Sequence, residues 1–204
     1  MNKRPLIIIG AGGHGKVAAE IAALTGYDSI FFLDDANIEN TNLIGKVCEF
    51  TKYIHMYDFF VAIGDNEIRK TIFNDLIAHK ATIISLKHPA AIISKSAVIG
   101  IGVIIMAGAV INCNAVIEDG AIINTCSSID HDTQISEFVH VSIGAHLAGS
   151  VSIGNSSFIG AGAIVINNIG ICKECTIGAG SVVIRDINTP GTYVGVPARK
   201  VHDK

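Results

Sequence analysis

Residues 105–129 read IMAGAVINCNAVIEDGAIINTCSSI, and every sixth letter is isoleucine: Ile105, Ile111, Ile117, Ile123 and Ile129. The spacing extends in both directions. From Ile93 to Val183, sixteen successive positions six apart are Ile, Val or Leu. Neither a helical period of 3.6 nor a strand period of 2 produces this. Four residues after each aliphatic the side chain is usually small, as at Ala97, Ala109, Ala115, Ala121, Ser127, Thr133, Ala145, Ser157, Ala163 and Ser181. Where it is larger, as at Val103, Val139, Val151, Ile169 and Ile187, it is still apolar. Such a hexad describes one flat side of a parallel β-helix: an aliphatic residue points to the axis and a small one near the corner lets the chain turn. Three sides make a coil of eighteen residues, so the repeat predicts about five coils, stacked so that their aliphatic ladders are buried.

The 204-residue chain has room for one or two domains. A formal net charge of −3 gives no basic footprint for nucleic acid. Tryptophan is absent and aromatics make up 6% of the chain, which suits an Ile/Val-filled solenoid. Among five cysteines only Cys172 and Cys175 form a C-x-x-C, with no second pair at zinc spacing. Residues 97–117 carry no charge over twenty-one positions, long enough to span a bilayer. The sixfold repeat, with Gly100, Gly102, Gly108, Asn112 and Asn114 inside it, favours coils instead. The apolar run Leu6–Ile9 behind Lys3 and Arg4 is too short for a signal peptide and ends in glycines, so the expected location is the cytoplasm, with no membrane contact.

Before the hexads the pattern is α/β. Pro5–Ile9 reads as a buried strand, and Gly10-Ala11-Gly12-Gly13-His14-Gly15 follows as G-x-G-x-x-G. A helix is expected over about 16–24 with Val17, Ile21 and Leu24 on one face, then a strand over 29–33 ending in Asp34-Asp35. Glycines here let backbone N–H groups approach an anion at a helix start, and an acidic side chain beyond the second strand can accept from a ribose hydroxyl. A third strand over 58–63 ends in Gly64-Asp65-Asn66. A helix over about 67–80 follows, with Ile68, Ile72, Phe73, Leu76 and Ile77 at helical spacing and Asp65 or Asn66 as its cap. Arg69 is either a phosphate contact or a solvated side chain. Ile83-Ile84 is a last edge strand. The predicted organisation is a short parallel α/β nucleotide-binding unit over residues 1–85 and a β-helix with its tail over 86–204. About 85 residues are too few for a complete dinucleotide fold, so the unit should hold one nucleotide.

A side that only packs has no need of the polar cluster from Asn124 to His146. Within it, Asp130-His131-Asp132 places a carboxylate on each side of an imidazole. Either could accept a ring N–H and make the other nitrogen a better base. The bland alternative is an exposed corner histidine. A metal site built from His131, His140 and His146 is disfavoured. Coil stacking in one protomer puts ligands eighteen apart, whereas these are nine, six and fifteen apart.

Together, the glycine loop with His14, the Asp34-Asp35 pair, Ile129-Asp130-His131-Asp132 with His140, and Gly195-Val196-Pro197-Ala198 resemble the bacterial hexapeptide-repeat sugar acetyltransferases. The closest group is the N-acetyltransferases of nucleotide-linked 4-amino-4,6-dideoxy sugars, of the UDP-bacillosamine and perosamine type, alongside the sialic acid O-acetyltransferases. The resemblance covers essentially the whole chain. It implies a left-handed parallel β-helix, a homotrimer, active sites between protomers and acetyl-CoA as co-substrate, with no metal. It further implies His131 as general base, Asp132 as its orienting partner and His140 against the acetyl group. The N–H of Gly149 would face the thioester oxyanion, and Asn124 would touch the sugar. His14, Asp34, Asp35, Gly64 and Asp65 would line the nucleotide-sugar site; Ala161, Ala179 and Pro197 would flank the CoA arm. Family members can carry Glu beside the histidine, so Asp130 and Asp132 both remain candidates to orient it. The implied reaction is N-acetylation of a sugar, UDP being the first choice of nucleotide. The alternatives are sugar O-acetylation and a non-catalytic nucleotide-sugar-binding trimer.

Overall fold

The computed structural model describes residues 3–36 and 42–201. The chain divides into two compact units, residues 1–89 and 90–204. The division falls four residues after the expected boundary because Leu86 is buried and packs with the first unit's leading helix.

In the first unit β1 (Leu6–Ile9), α1 (Gly13–Leu24) and β2 (Ile30–Leu33) form the expected strand–helix–strand. β3 (Leu43–Gly45) and a 3-10 helix (Val47–Lys52) follow, which no periodic pattern announces. β4 (Asp58–Val61), α2 (Asn66–Ala78) and β5 (Thr82–Ile83) complete it. The sheet is parallel throughout, in the order β3-β2-β1-β4-β5. β1 is buried along its whole length, so it reads as four aliphatic residues without alternation. The helix faces differ from the periodic reading. α1 buries Gly15, Ala18, Ile21 and Ala22 and leaves Val17 and Leu24 exposed. α2 buries Arg69, Phe73 and Leu76 and leaves Ile68 and Ile77 exposed. At the start of α1 the contact is closest: a Cβ on Gly15 would collide with the carbonyl oxygen of Gly10, so that position needs glycine.

The second unit is the predicted parallel β-helix. Sixteen strands of two or three residues run from Ile92–Ile93 to Val182–Val183. They stack in register onto residues eighteen positions away, for example Ile111 on Ile129 and Ile129 on Leu147. Two faces carry five of these strands and the face of Ile92–Ile93 carries six, because the repeat opens and closes on the same side. Each member of the hexad series is the last residue of its strand; from Ile105 onward all are buried in one core.

The corner works differently from the simple expectation. The small residue four after each aliphatic lies inside, packed in the core or, as hydroxyl, bonded there. Ser127 Oγ donates to Asn124 O at 2.7 Å and Thr133 Oγ1 to Ala148 O at 3.1 Å. The turn itself is made one residue earlier. Gly102, Gly108, Asn114, Gly120, Cys126, Asp132, Phe138, Gly144, Ser150, Ser156, Gly162, Asn168, Glu174 and Gly180 all have positive φ, between 55° and 69°. That left-handed conformation is costly for residues other than Gly, Asn and Asp, and stacking of the coils holds it in place. The strand Cys175–Ile177 pairs with Gly191–Val194, and Arg199–Lys200 folds back antiparallel on that segment.

Gly120 meets both demands of a corner: its φ is +64°, and a Cβ there would run into the Phe138 ring of the next coil. Gly120→Ala is therefore expected to lower unfolding stability by about 2–4 kcal/mol, from the left-handed backbone and overpacking together. A denaturant midpoint unchanged from the parent would contradict this account of the corner.

Candidate functional site

In the first unit, β2 and β4 lie on opposite sides of β1, so the chain reverses its winding direction there. Ligands in open parallel sheets bind beyond the strand ends at such a switch point. The glycine loop after β1 and the segment 63–66 after β4 both end there. They come very close: a Cβ on Gly10 would lie 2.7 Å from Ala62 O.

Asp34 holds the loop from the side, accepting the N–H of Ala11 on one oxygen at 2.7 Å and that of Ala36 on the other at 2.8 Å. Asp35 accepts the N–H of Val47 at 3.0 Å. Asp65 caps α2, accepting from the N–H groups of Glu67 and Ile68. All three predicted carboxylates thus tie down backbone. Arg69 is neither of the things expected of it. It is 1% exposed and donates to the carbonyls of Ile63 and Gly64 and to Asn66 Oδ1, at 2.8–3.1 Å. It fixes the segment containing Gly64 rather than reaching outward, and burial pulls its pKa down to about 10. His14, in the first turn of α1, is partly buried, and its buried Nε2 has no hydrogen-bond partner among the described residues. Burial, reinforced by the Arg69 charge, lowers its pKa to about 4, so it is neutral at pH 7. A buried polar atom without a partner, at a switch point rimmed by glycines, fits a ligand that supplies the missing bond.

On the β-helix, His131 sits in the turn between Ser128–Ile129 and Gln134–Ile135, immediately before Asp132, whose φ is +57°. That backbone turns the Asp132 side chain back onto the ring, and His131 Nδ1 donates to Asp132 Oδ2 at 2.8 Å. Asp130 is occupied elsewhere: its Oδ1 accepts the His131 backbone N–H at 2.8 Å and Asn112 Nδ2 at 2.7 Å. The two carboxylates left open by the sequence are thereby separated, and Asp132 is the one on the ring. The bond from Asp132, then the charge of Asp130, raises the His131 pKa above the ordinary histidine value. With Nδ1 bound to a carboxylate, Nε2 is the basic nitrogen.

Gly149 stacks one coil above. A Cβ there would lie 2.5 Å from His131 Nε2, so glycine is what leaves the ring its place. The Gly149 N–H donates to no group among the described residues. A groove of about 370 Å³ runs beside this corner, lined among others by Asp130, Ser128, His146 and Asn167, and Ser128 Oγ meets His146 Nδ1 at 2.8 Å.

His140 is elsewhere. It lies in the strand His140–Val141, on the face opposite the His131 corner, with Phe158 edge-on to its ring at 5.0 Å. Its Nε2 is 3.2 Å from Asn124 Nδ2, so the two residues form one small cluster. Ala161 and Ala179 are exposed at successive levels of one corner, where the Gly180 N–H donates to Ala161 O, and Pro197 follows a cis bond in the exposed tail. The thiols of Cys172 and Cys175 are 3.5 Å apart. Among the described residues no group of three His, Cys, Asp or Glu could hold a metal, and no helix is long and apolar enough to cross a membrane. Two side chains in contact with this group, Asn112 and Asn114, are read from the sequence only as part of the coils. Their eighteen-residue offset from Asp130 and Asp132 is the signal that could have found them.

Comparison with known proteins bears on both units. Residues 5–76 match the PglD N-terminal domain family. The acetyltransferase domain of PglB from Neisseria gonorrhoeae FA1090, solved in complex with acetyl coenzyme A, is 40% identical. It superposes with a TM-score of 0.94 over 98% of this chain and 100% of that one. PerB from Caulobacter crescentus, solved with CoA and GDP-perosamine, is 35% identical, with a TM-score of 0.93 over 97% of each chain. UDP-N-acetylbacillosamine N-acetyltransferase from Bacillus subtilis (strain 168) is 43% identical over 106 residues, 48% of this chain and 49% of that enzyme.

The partly buried His14 leaves a signature in stability. Its pKa is about 6.5 in the unfolded chain and about 4 in the fold, so between these values the unfolded state binds more protons. Stability should therefore fall as pH drops from 6.5 to 4, with His14 contributing about 3 kcal/mol of the loss. His14→Gln should show a correspondingly shallower decline in denaturant unfolding across that range; an equally steep one would contradict the assignment.

Proposed function

The chain belongs to the family of bacterial hexapeptide-repeat sugar N-acetyltransferases that includes the PglB acetyltransferase domain and perosamine N-acetyltransferase, and we propose that it transfers acetyl from acetyl-CoA to the 4-amino group of a nucleotide-linked 4-amino-4,6-dideoxy sugar. The observation that carries the chemistry is the His131–Asp132 pair, with its ring packed against the backbone of Gly149 where no side chain intervenes. The sugar amine, unprotonated, attacks the thioester carbonyl carbon. Its N–H proton passes to His131 Nε2 as the C–N bond forms, and Asp132 stabilises the resulting imidazolium. The Gly149 N–H donates to the oxyanion, an interaction typically worth about 3 kcal/mol in the transition state. Collapse expels the CoA thiolate, and the proton on His131 balances it. An amine is already a good nucleophile, so alignment supplies much of the rate.

The switch point of the first unit holds the nucleotide part of the substrate. His14 and the glycine loop contact it, with Asp34, Asp35, Gly64 and Asp65 around them. UDP is the first choice of nucleotide, GDP and dTDP the others. Asn124 meets the sugar, while Ala161, Ala179 and Pro197 flank the pantetheine arm. His131 occupies a corner and His140 the opposite face, so one copy cannot bring both to one acetyl group. A homotrimer, in which a neighbour supplies His140 beside each His131, completes the site. The enzyme works in the cytoplasm, where acetyl-CoA is available, and serves surface glycan synthesis.

A thiol-release assay with acetyl-CoA and UDP-, dTDP- and GDP-linked 4-amino-4,6-dideoxy sugars, with mass analysis of products, tests this reading and chooses the nucleotide. Acetylation of sialic acid alone would replace it with O-acetylation. The base assignment makes a sharper prediction. His131 must be neutral, and its pKa is raised, so kcat/KM should fall with decreasing pH through a value above 6.5. Asp132→Asn should move that acid limb to lower pH and reduce the plateau. His131→Ala should remove the enzyme's own limb altogether, leaving only titration of the substrate amine.

A further inference from the structure

Asn112-Cys113-Asn114 lies one coil below Asp130-His131-Asp132, eighteen residues away and in register with it. Both amides donate upward. Asn112 Nδ2 reaches Asp130 Oδ1 at 2.7 Å, and Asn114 Nδ2 reaches Asp132 Oδ1 at 3.1 Å. Asp132 is thus held at both oxygens, by Asn114 on one and His131 Nδ1 on the other. Asn114 is itself fixed from beneath, its N–H donating to Ser96 Oγ at 3.0 Å, with φ +58° at its corner. The contacts form a ladder through three coils: Ser96, Asn114, Asp132, His131.

Resting on the reading of His131 as the base, we propose that Asn114 is a positioning residue: its amide sets the Asp132 carboxylate in the orientation that holds the His131 ring. A surface carboxylate beside a surface histidine, both about half exposed, would otherwise sample several rotamers. Pinning one oxygen leaves the other aimed at Nδ1, so Nε2 points steadily toward Gly149. The amide also favours the ionised form of Asp132, after the larger effect of His131 itself. The titratable groups facing His131 are Asp130 and Asp132 beside it and the exposed Cys113 below it in the corner column; the Gly149 coil above brings none to the ring. Asn112 acts in parallel on Asp130, which holds the His131 backbone rather than its ring.

The alternative is that asparagine is present only because it tolerates a left-handed corner. Two substitutions separate the readings, since glycine keeps the corner without an amide and aspartate keeps the shape with a carboxylate in place of the donor. Asn114→Gly should reduce plateau kcat about tenfold, with KM for acetyl-CoA unchanged. The loss should vanish in an Asp132→Asn background, because a residue acting through Asp132 has nothing further to remove. Asn114→Asp adds a negative charge near the pair and should raise the His131 pKa. That shift is readable by NMR titration of the full chain without substrate and as an upward move of the acid limb. Full activity in Asn114→Gly, a loss that multiplies with that of Asp132→Asn, or a His131 titration unmoved in Asn114→Asp would each overturn the proposal. The titration needs no turnover, so it still judges Asn114 if no sugar in the panel is acetylated.

Discussion

The backbone conformation of the coil corner underlies the rest of this structure. A chain that must turn by a third of a circle every six residues needs one residue in the left-handed region at each corner, and fourteen successive corners have one. The cost of that conformation is met by the register it creates. Once every coil turns at the same phase, each aliphatic lands on the one below, and each strand finds its backbone partners eighteen residues away. Hydroxyls at the inner corner satisfy carbonyls that the turn would otherwise strand in an apolar core.

The same constraint builds the corner that carries His131. Asp132 occupies a left-handed position for reasons of coil geometry, and that backbone brings its carboxylate to the ring of the residue before it. Asn114, at the equivalent corner one coil below, points its amide at that carboxylate for the same reason. Gly149, one coil above, leaves room for the ring. A repeating fold therefore converts residues eighteen apart into a vertical column of neighbours, with Asn114 below the His131–Asp132 pair and Gly149 above it. It also separates residues nine apart. His140 is half a coil from His131 and lies on the opposite face.

In the first unit the acidic residues are tied to backbone. Asp34, Asp35 and Asp65 look like ligand contacts by position, and each also secures a backbone N–H. Arg69 shows why a charge in a helix pattern is hard to place. It is nearly completely buried, with the carbonyls of Ile63 and Gly64 as its partners, and nothing in its spacing distinguishes it from a solvated side chain. The 3-10 helix and β3 were likewise unannounced, being too short to express a period.

The sequence by itself determined the β-helix and the α/β unit before it, and it singled out His131 between two carboxylates; the roles of His14, Asp132 and Gly149 came from the family resemblance. It could do so because hexad repetition and glycine motifs are local patterns whose physical meaning does not depend on what packs against them. The tertiary structure decided which carboxylate holds His131, that Arg69 is buried, that the small hexad residue lies inside while its predecessor makes the turn, and that Asn112 and Asn114 hydrogen-bond to Asp130 and Asp132. Those outcomes depend on side-chain direction and on which residue of the next coil lies within hydrogen-bonding distance, and both are set only when the coils stack.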